Sequence, residues 1–278
     1  MKKTIVVPTD FSHNALVAAK YALQFAAQQD YEVHLLHAYL PFTSAFQNPR
    51  AIEEDESKIR KGAEAEMRDF LNKLGTNDAL KISNSISQGN LTDCLTQFVD
   101  EHSAQLIIMG THGASGTRKD VLGSNTYDVA KSSRVPLIVI PEHVTEFRLD
   151  KAVFFTDYQP ADKLTLKAFK DIVSDHPVPC TLVHIAAQAK EDTQQTLKLE
   201  EWKQQLKAET GYDLLHGEIA RDREKLKRVN IIIEDLAADL SILTLIGGRG
   251  FFEKLFHKSL ARQIVLNPNR PVFLVTAI

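Results

Sequence analysis

The chain is poor in the features that mark many functional classes. It has two cysteines in 278 residues. Cys94 and Cys180 lie far apart and form neither a metal-spaced pair nor a disulfide framework, so buried free thiols in a reducing compartment are expected. No apolar run approaches the roughly 18 residues that a bilayer-spanning helix needs; the longest, such as Ile231-Ile232-Ile233 and Leu137 to Ile140, are strand-sized. The net charge is −3, which lacks the basic excess of a nucleic-acid binder. Met1-Lys2-Lys3 leads straight into a short β-branched run, without the apolar core or small-residue cleavage site of a secretory signal. A cytoplasmic protein with no membrane or nucleic-acid partner is therefore expected. HExxH, CxxC, GxSxG and the Walker Gly-Lys-Ser/Thr are all missing, as is any carboxylate pair that sequence could place, so no catalytic residue and no protein metal site is assigned.

What the chain does have is a repeat. Thr4-Ile5-Val6-Val7-Pro8-Thr9-Asp10 returns as Ala152-Val153-Phe154-Phe155-Thr156-Asp157, and Val33-His34-Leu35-Leu36-His37 as Cys180-Thr181-Leu182-Val183-His184; Thr9 to Thr156 and His37 to His184 share one separation of 147 residues. Leu106-Ile107-Ile108-Met109-Gly110 matches Leu243-Thr244-Leu245-Ile246-Gly247, and Arg134 to Ile140 matches Arg270 to Val275, at a shorter separation. Four anchors in one order point to a duplication, with domains at 1–143 and 150–278.

Each copy alternates apolar strand-length runs with helical patterns. Strands are predicted near 3–8, 32–38, 80–87, 105–109 and 136–140, then 151–156, 179–185, 213–219, 241–246 and 271–276. Helices are predicted near 12–29, 51–74, 91–103 and 124–132, then 160–174, 190–210, 222–238 and 256–266. Continuous apolar strands alternating with helices make parallel sheets covered on both faces. The fold class is thus α/β: two tandem, open, five-stranded parallel sheets of Rossmann-like type. Ligands of such sheets bind at the strand carboxyl ends, where the strand order reverses. The irregular stretch from Tyr39 to Asn48 reads as a surface crossover or a flap over that edge.

The chemically informative segment is Met109-Gly110-Thr111-His112-Gly113, then nine residues, then Gly123-Ser124-Asn125-Thr126. Glycine lets backbone approach a ligand closely, and a helix start offers free N–H groups and a favourable dipole to an anion. Ser124 and Thr126 add hydroxyls. The residues describe a phosphate cradle, with a tight turn plus a helix cap as the plainer alternative. Arg118 and Lys119 are candidates to steer anions, or simply solvated loop charges.

At this point the pattern resembles the universal stress protein family in its tandem, two-domain form. The resemblance rests on Val7-Pro8-Thr9-Asp10-Phe11-Ser12, on Leu36-His37, and on G-x2-G-x9-G-S, which is Gly110, Gly113, Gly123 and Ser124. It implies ATP, with Mg²⁺ on its phosphates, held by the glycine motif. It also implies Asp10 and Ala38 against adenine, and Pro8 near the ribose. Thr9, Met109, His112, Asn125 and Thr126 complete the expected nucleotide site. Asp10 can instead serve only to cap the first helix, and His37 and His184 read as edge histidines bonded to backbone. The second copy departs from the motif: Gly247-Gly248-Arg249-Gly250 runs into Phe251-Phe252, and Lys258 stands where the third glycine belongs. It is expected not to bind ATP. The implied function is stress sensing or regulation without strong catalysis, with an unidentified protein partner. Pairing of the two halves through their last strands into a pseudo-dimer is expected, and a homodimer is also possible. The rivals are a nucleotide-free interaction module, a slow ATP hydrolase, and a relative of adenylate-transferring enzymes.

Overall fold

The protein is described from a computed structural model that covers residues 3–40, 49–75, 82–113, 123–186, 193–221, 229–246 and 268–277. The first half runs β1 (Lys3–Pro8), α1 (His13–Gln29), β2 (Tyr31–Tyr39), α2 (Pro49–Leu74), β3 (Ile82–Gln88), α3 (Leu91–His102), β4 (Leu106–Gly110), α4 (Ser124–Ser132) and β5 (Leu137–Ile140). The second half runs β6 (Ala152–Phe155), α5 (Asp162–Ile172), β7 (Cys180–Ala186), α6 (Thr193–Thr210), β8 (Leu215–Arg221), α7 (Val229–Asp235), β9 (Leu240–Ile246) and β10 (Val272–Ala277). The flap segment beyond Leu40, Arg118 and Lys119, the predicted helix 256–266 and the glycine loop of the second copy lie outside the described residues.

The two five-stranded halves form one ten-stranded sheet in the order β3-β2-β1-β4-β5-β10-β9-β6-β7-β8. Pairing is parallel within each half. The joint is antiparallel, with Val272 opposite Val139, Phe273 opposite Ile138 and Leu274 opposite Leu137. The inner strands are apolar on both faces because both faces are covered. Their side chains alternate between two cores: Ile5, Val7, Leu35, Ile108, Ile138 and Phe154 pack with α1, α2, α5 and α6, while Val6, Leu36, Ile107, Val139 and Val153 pack with α3, α4 and α7 on the other face.

A pseudo-two-fold relates the halves. Gln29 and His176 are equivalent in the repeat, and they bond to each other: the Gln29 amide donates to the His176 carbonyl at 3.0 Å, and the His176 N–H donates to Gln29 Oε1 at 3.1 Å. Contact between equivalent positions is the mark of a self-complementary, two-fold interface. Ile138 and Phe273, opposite each other in the sheet, are equivalent in the same way. The Tyr31 hydroxyl adds a bond to the Ile172 carbonyl, and Lys3 pairs with Asp175 across the same boundary.

Sheet register corrects one expectation. Val6 lies opposite Ile107 in the first half, and its equivalent Val153 lies opposite Ser241 in the second. Ile107 therefore matches Ser241, and Gly110 matches Thr244 rather than Gly247. Matching two apolar runs by their terminal glycine slips the alignment by three residues, because β9 extends beyond the point where β4 ends. Both cysteines are buried free thiols.

His34 on β2 gives a test of packing by pH. Its ring stacks on Phe98 at 4.1 Å, with Nδ1 2.7 Å from the Ser83 hydroxyl and Nε2 2.8 Å from that of Ser85. Burial, and secondarily the nearby His102, lowers its pKa from 6.5 to about 4. The unfolded chain then binds the proton more readily, so this contribution to stability is complete above the unfolded value and is lost as pH falls toward the folded one. Between pH 7 and 4 the loss should be on the order of 2–3 kcal/mol from this group. Urea denaturation of the native protein and of His34→Gln should show a shallower acid slope in the variant.

Candidate functional site

In the first half the strand order reverses between β1 and β4, which carry their chains out to opposite faces. The crevice at their carboxyl ends is the expected ligand position for such a sheet. At the end of β1 the Thr9 N–H donates to the Leu36 carbonyl at 2.9 Å. The chain then turns sharply: the Thr9 hydroxyl accepts from the Phe11 N–H at 3.0 Å, and Phe11 sits at φ 64°. That left-handed conformation is costly for an aromatic residue. It is held by stacking of Phe11 on His37 at 4.4 Å, while His37 Nδ1 reaches the Thr9 carbonyl at 2.8 Å. His37 is thus an edge histidine bonded to backbone, as is His184 on Thr156 at 3.0 Å in the second half. Asp10 Oδ1 accepts from the Ser12 N–H at 3.1 Å, and the Ser12 hydroxyl caps α1 by accepting from Ala15 N. Ser12 is the cap, and Asp10 shapes the turn before it while remaining exposed toward the crevice.

Across the crevice β4 ends at Gly110. The Thr126 hydroxyl donates to the Gly110 carbonyl at 3.0 Å, and the Gly123 N–H donates to the Thr111 carbonyl at 2.8 Å, so both stems of the glycine loop are tied together. Asn14, buried in the first turn of α1, donates from Nδ2 to the Thr111 hydroxyl at 3.1 Å and to the His112 carbonyl at 3.0 Å. There is no room for side chains at the glycines. A β-carbon on Gly110 would meet the Asn14 amide at 2.7 Å, and one on Gly113 would meet Asp10 Oδ2 at 2.5 Å. Gly123 forms the N-cap of α4 and provides no side-chain cap, so the first-turn amides of this helix are left for another partner.

Pro8, Thr9, Asp10, Ala38, Met109, Gly110, His112, Gly113, Gly123, Ser124, Asn125 and Thr126 all line a single cleft of about 260 Å³. Ala15 and Leu91 join them. Sequence reading missed both, and it also missed Asn14, which braces the loop from behind. Leu91 follows Asn90, whose side chain caps α3, and that cap was the available signal. Ala15 and Asn14 carry no signal of their own. Among the described residues no group of three His, Cys, Asp or Glu is placed to hold a metal ion, and no helix is long and apolar enough to cross a membrane.

The loop brace is testable by substitution. Asn14→Leu removes both bonds and leaves the buried Thr111 hydroxyl and His112 carbonyl short of a donor. Unfolding free energy measured in urea should fall by about 1–3 kcal/mol.

Comparison with known proteins agrees with the geometry. Residues 1–141 match the model of the universal stress protein family. A universal stress protein of Methanocaldococcus jannaschii is 31% identical over 140 residues, spanning 50% of this chain and 81% of that protein. Another from the same organism is 27% identical over 155 residues, spanning 50% and 95% respectively. In overall fold, the crystal structure of a universal stress protein from Archaeoglobus fulgidus covers 98% of both chains with a TM-score of 0.72 at 19% identity. With the family model matched across half of the sequence, the chain belongs to the universal stress protein family.

Proposed function

We propose that the first half, residues 1–143, binds an adenine nucleotide, ATP carrying Mg²⁺ on its phosphates, and that binding serves stress sensing or regulation rather than strong catalysis. The observation that carries this reading is the single cleft lined by the glycine motif and by the end of β1, with the uncapped start of α4 in its wall. Phosphate oxygens suit that helix start, since the free amides and the dipole both favour negative charge. Glycines at 110 and 113 leave bare backbone where a β-carbon would collide with Asn14 and Asp10, and a β-carbon at Gly123 would press on the Thr111 carbonyl at 3.2 Å.

His112 fits the same role. Its Nδ1 lies 2.9 Å from the Thr111 hydroxyl, which already accepts from Asn14 and so has its own proton to give. If the hydroxyl donates to Nδ1, Nε2 carries the ring proton. Nε2 is buried and has no partner among the described residues, which makes it a fitting donor for a phosphate oxygen. Among the described residues no arginine lines the cleft, and rapid hydrolysis is not part of the proposal. Residues 150–278 form the second domain of the proposal and contribute no nucleotide.

Calorimetric titration of MgATP should give one site per chain. Gly113→Val, whose side chain would occupy the space of the Asp10 carboxylate, should weaken it by about 100-fold or more, the cost of several lost hydrogen bonds. Absence of binding in the native protein would turn the reading toward a nucleotide-free interaction module.

A further inference from the structure

The two crevices share a turn and differ in their floor. Thr156 and Tyr158 repeat the roles of Thr9 and Phe11: the Thr156 N–H donates to the Val183 carbonyl at 2.9 Å, its hydroxyl accepts from the Tyr158 N–H at 2.9 Å, and Tyr158 sits at φ 60° over His184. The same 147-residue separation makes Ala15 equivalent to Asp162 and Ala18 to Thr165. Burial agrees along both helices, with Ala15, Ala18, Ala22 and Phe25 buried in α1 and Asp162, Thr165, Phe169 and Ile172 buried in α5. Register has already placed Thr244 at the position of Gly110.

The small groups that open the first crevice are thus replaced by polar side chains that bond to one another. Asp162, 2% exposed, accepts the Thr156 hydroxyl on Oδ2 at 2.6 Å and the Thr244 hydroxyl on Oδ1 at 2.8 Å. Thr244 also lies 2.8 Å from the Thr165 hydroxyl. In the first half the corresponding floor is Ala15 and Gly110, both on the cleft wall. A carboxylate buried there opposes the entry of a phosphate, since like charges away from water repel strongly.

We propose that Asp162 is a specificity determinant: standing in the place of Ala15, it is sufficient to close the second crevice to an anionic ligand, with Thr244 filling the space that Gly110 leaves open. This rests on the reading of the first crevice as a phosphate-binding site. It places the exclusion of anions from the second half in the floor, independently of the loop sequence.

The test grafts the floor of one half onto the other. Thr9, which stands where Thr156 stands, offers a grafted carboxylate the same hydroxyl. Native protein, Ala15→Asp and Ala15→Asn are titrated with MgATP and with adenosine. Ala15→Asp should weaken MgATP by about 100-fold or more relative to Ala15→Asn, while the two variants, equal in size, bind adenosine alike. Equal loss of MgATP in Asp and Asn, retention of MgATP by Ala15→Asp, or an adenosine loss in Ala15→Asp relative to Ala15→Asn that matches the MgATP loss would each overturn the proposal, since none is an effect of charge on phosphate. No MgATP binding by the native protein would instead sink the reading of the first crevice, and this inference with it.

Discussion

The antiparallel pairing of β5 with β10 is the joint on which the molecule depends. Each half alone would end in a strand that is apolar on both faces and open along one edge, and such edges invite uncontrolled association. Joining the two edges places four buried strands, β4, β5, β10 and β9, at the centre of one sheet and leaves only β3 and β8 at its margins. The margins tolerate water: β3 reads Ile82-Ser83-Asn84-Ser85-Ile86-Ser87-Gln88, largely polar. The pairing also turns the second half around, so that the carboxyl ends of its strands point to the opposite edge of the sheet.

Duplication gave each crevice the same first turn. A threonine ends the strand, an aromatic residue takes a left-handed conformation behind it, and a histidine from the neighbouring strand holds both. This turn is structural and serves equally in either half. What distinguishes the halves sits beneath it. Alanine and glycine in the first half make a hollow with bare backbone around it; an aspartate and threonines in the second make a closed hydrogen-bonded plug. Both carboxylate oxygens of Asp162 accept a hydroxyl bond, as a buried polar group requires, and burial still holds its pKa above the ordinary carboxylate value against the lowering effect of those bonds.

Much of this was legible in advance. The alternation of apolar runs and helical patterns placed the strands to within a few residues, because strands covered on both faces must be apolar throughout. The glycine motif, the end of β1 and Ala38 near the end of β2 make up twelve named residues that share one cleft, because crossover connections bring the strand carboxyl ends to one edge. Ala15 and Asn14 were not legible. Each is an ordinary residue for a helix, and its meaning comes from Gly110 and Thr111, nearly a hundred positions away. Asp162 was invisible for the same reason: one aspartate near a helix start reads as a surface charge or a cap until Thr156 and Thr244 are seen around it.

The sequence by itself determined the class of fold, the duplication, and the location of the glycine cradle, since these follow from periodicity and from residue types that act locally. The tertiary structure decided which residues of the two copies correspond. Anchor matching put Gly247 opposite Gly110, whereas the hydrogen-bonded register puts Thr244 there. Register is set by pairing between strands distant in the chain, and pairing obeys the sheet's own spacing rather than the position of a glycine. On that register depends the difference between an open crevice and a filled one.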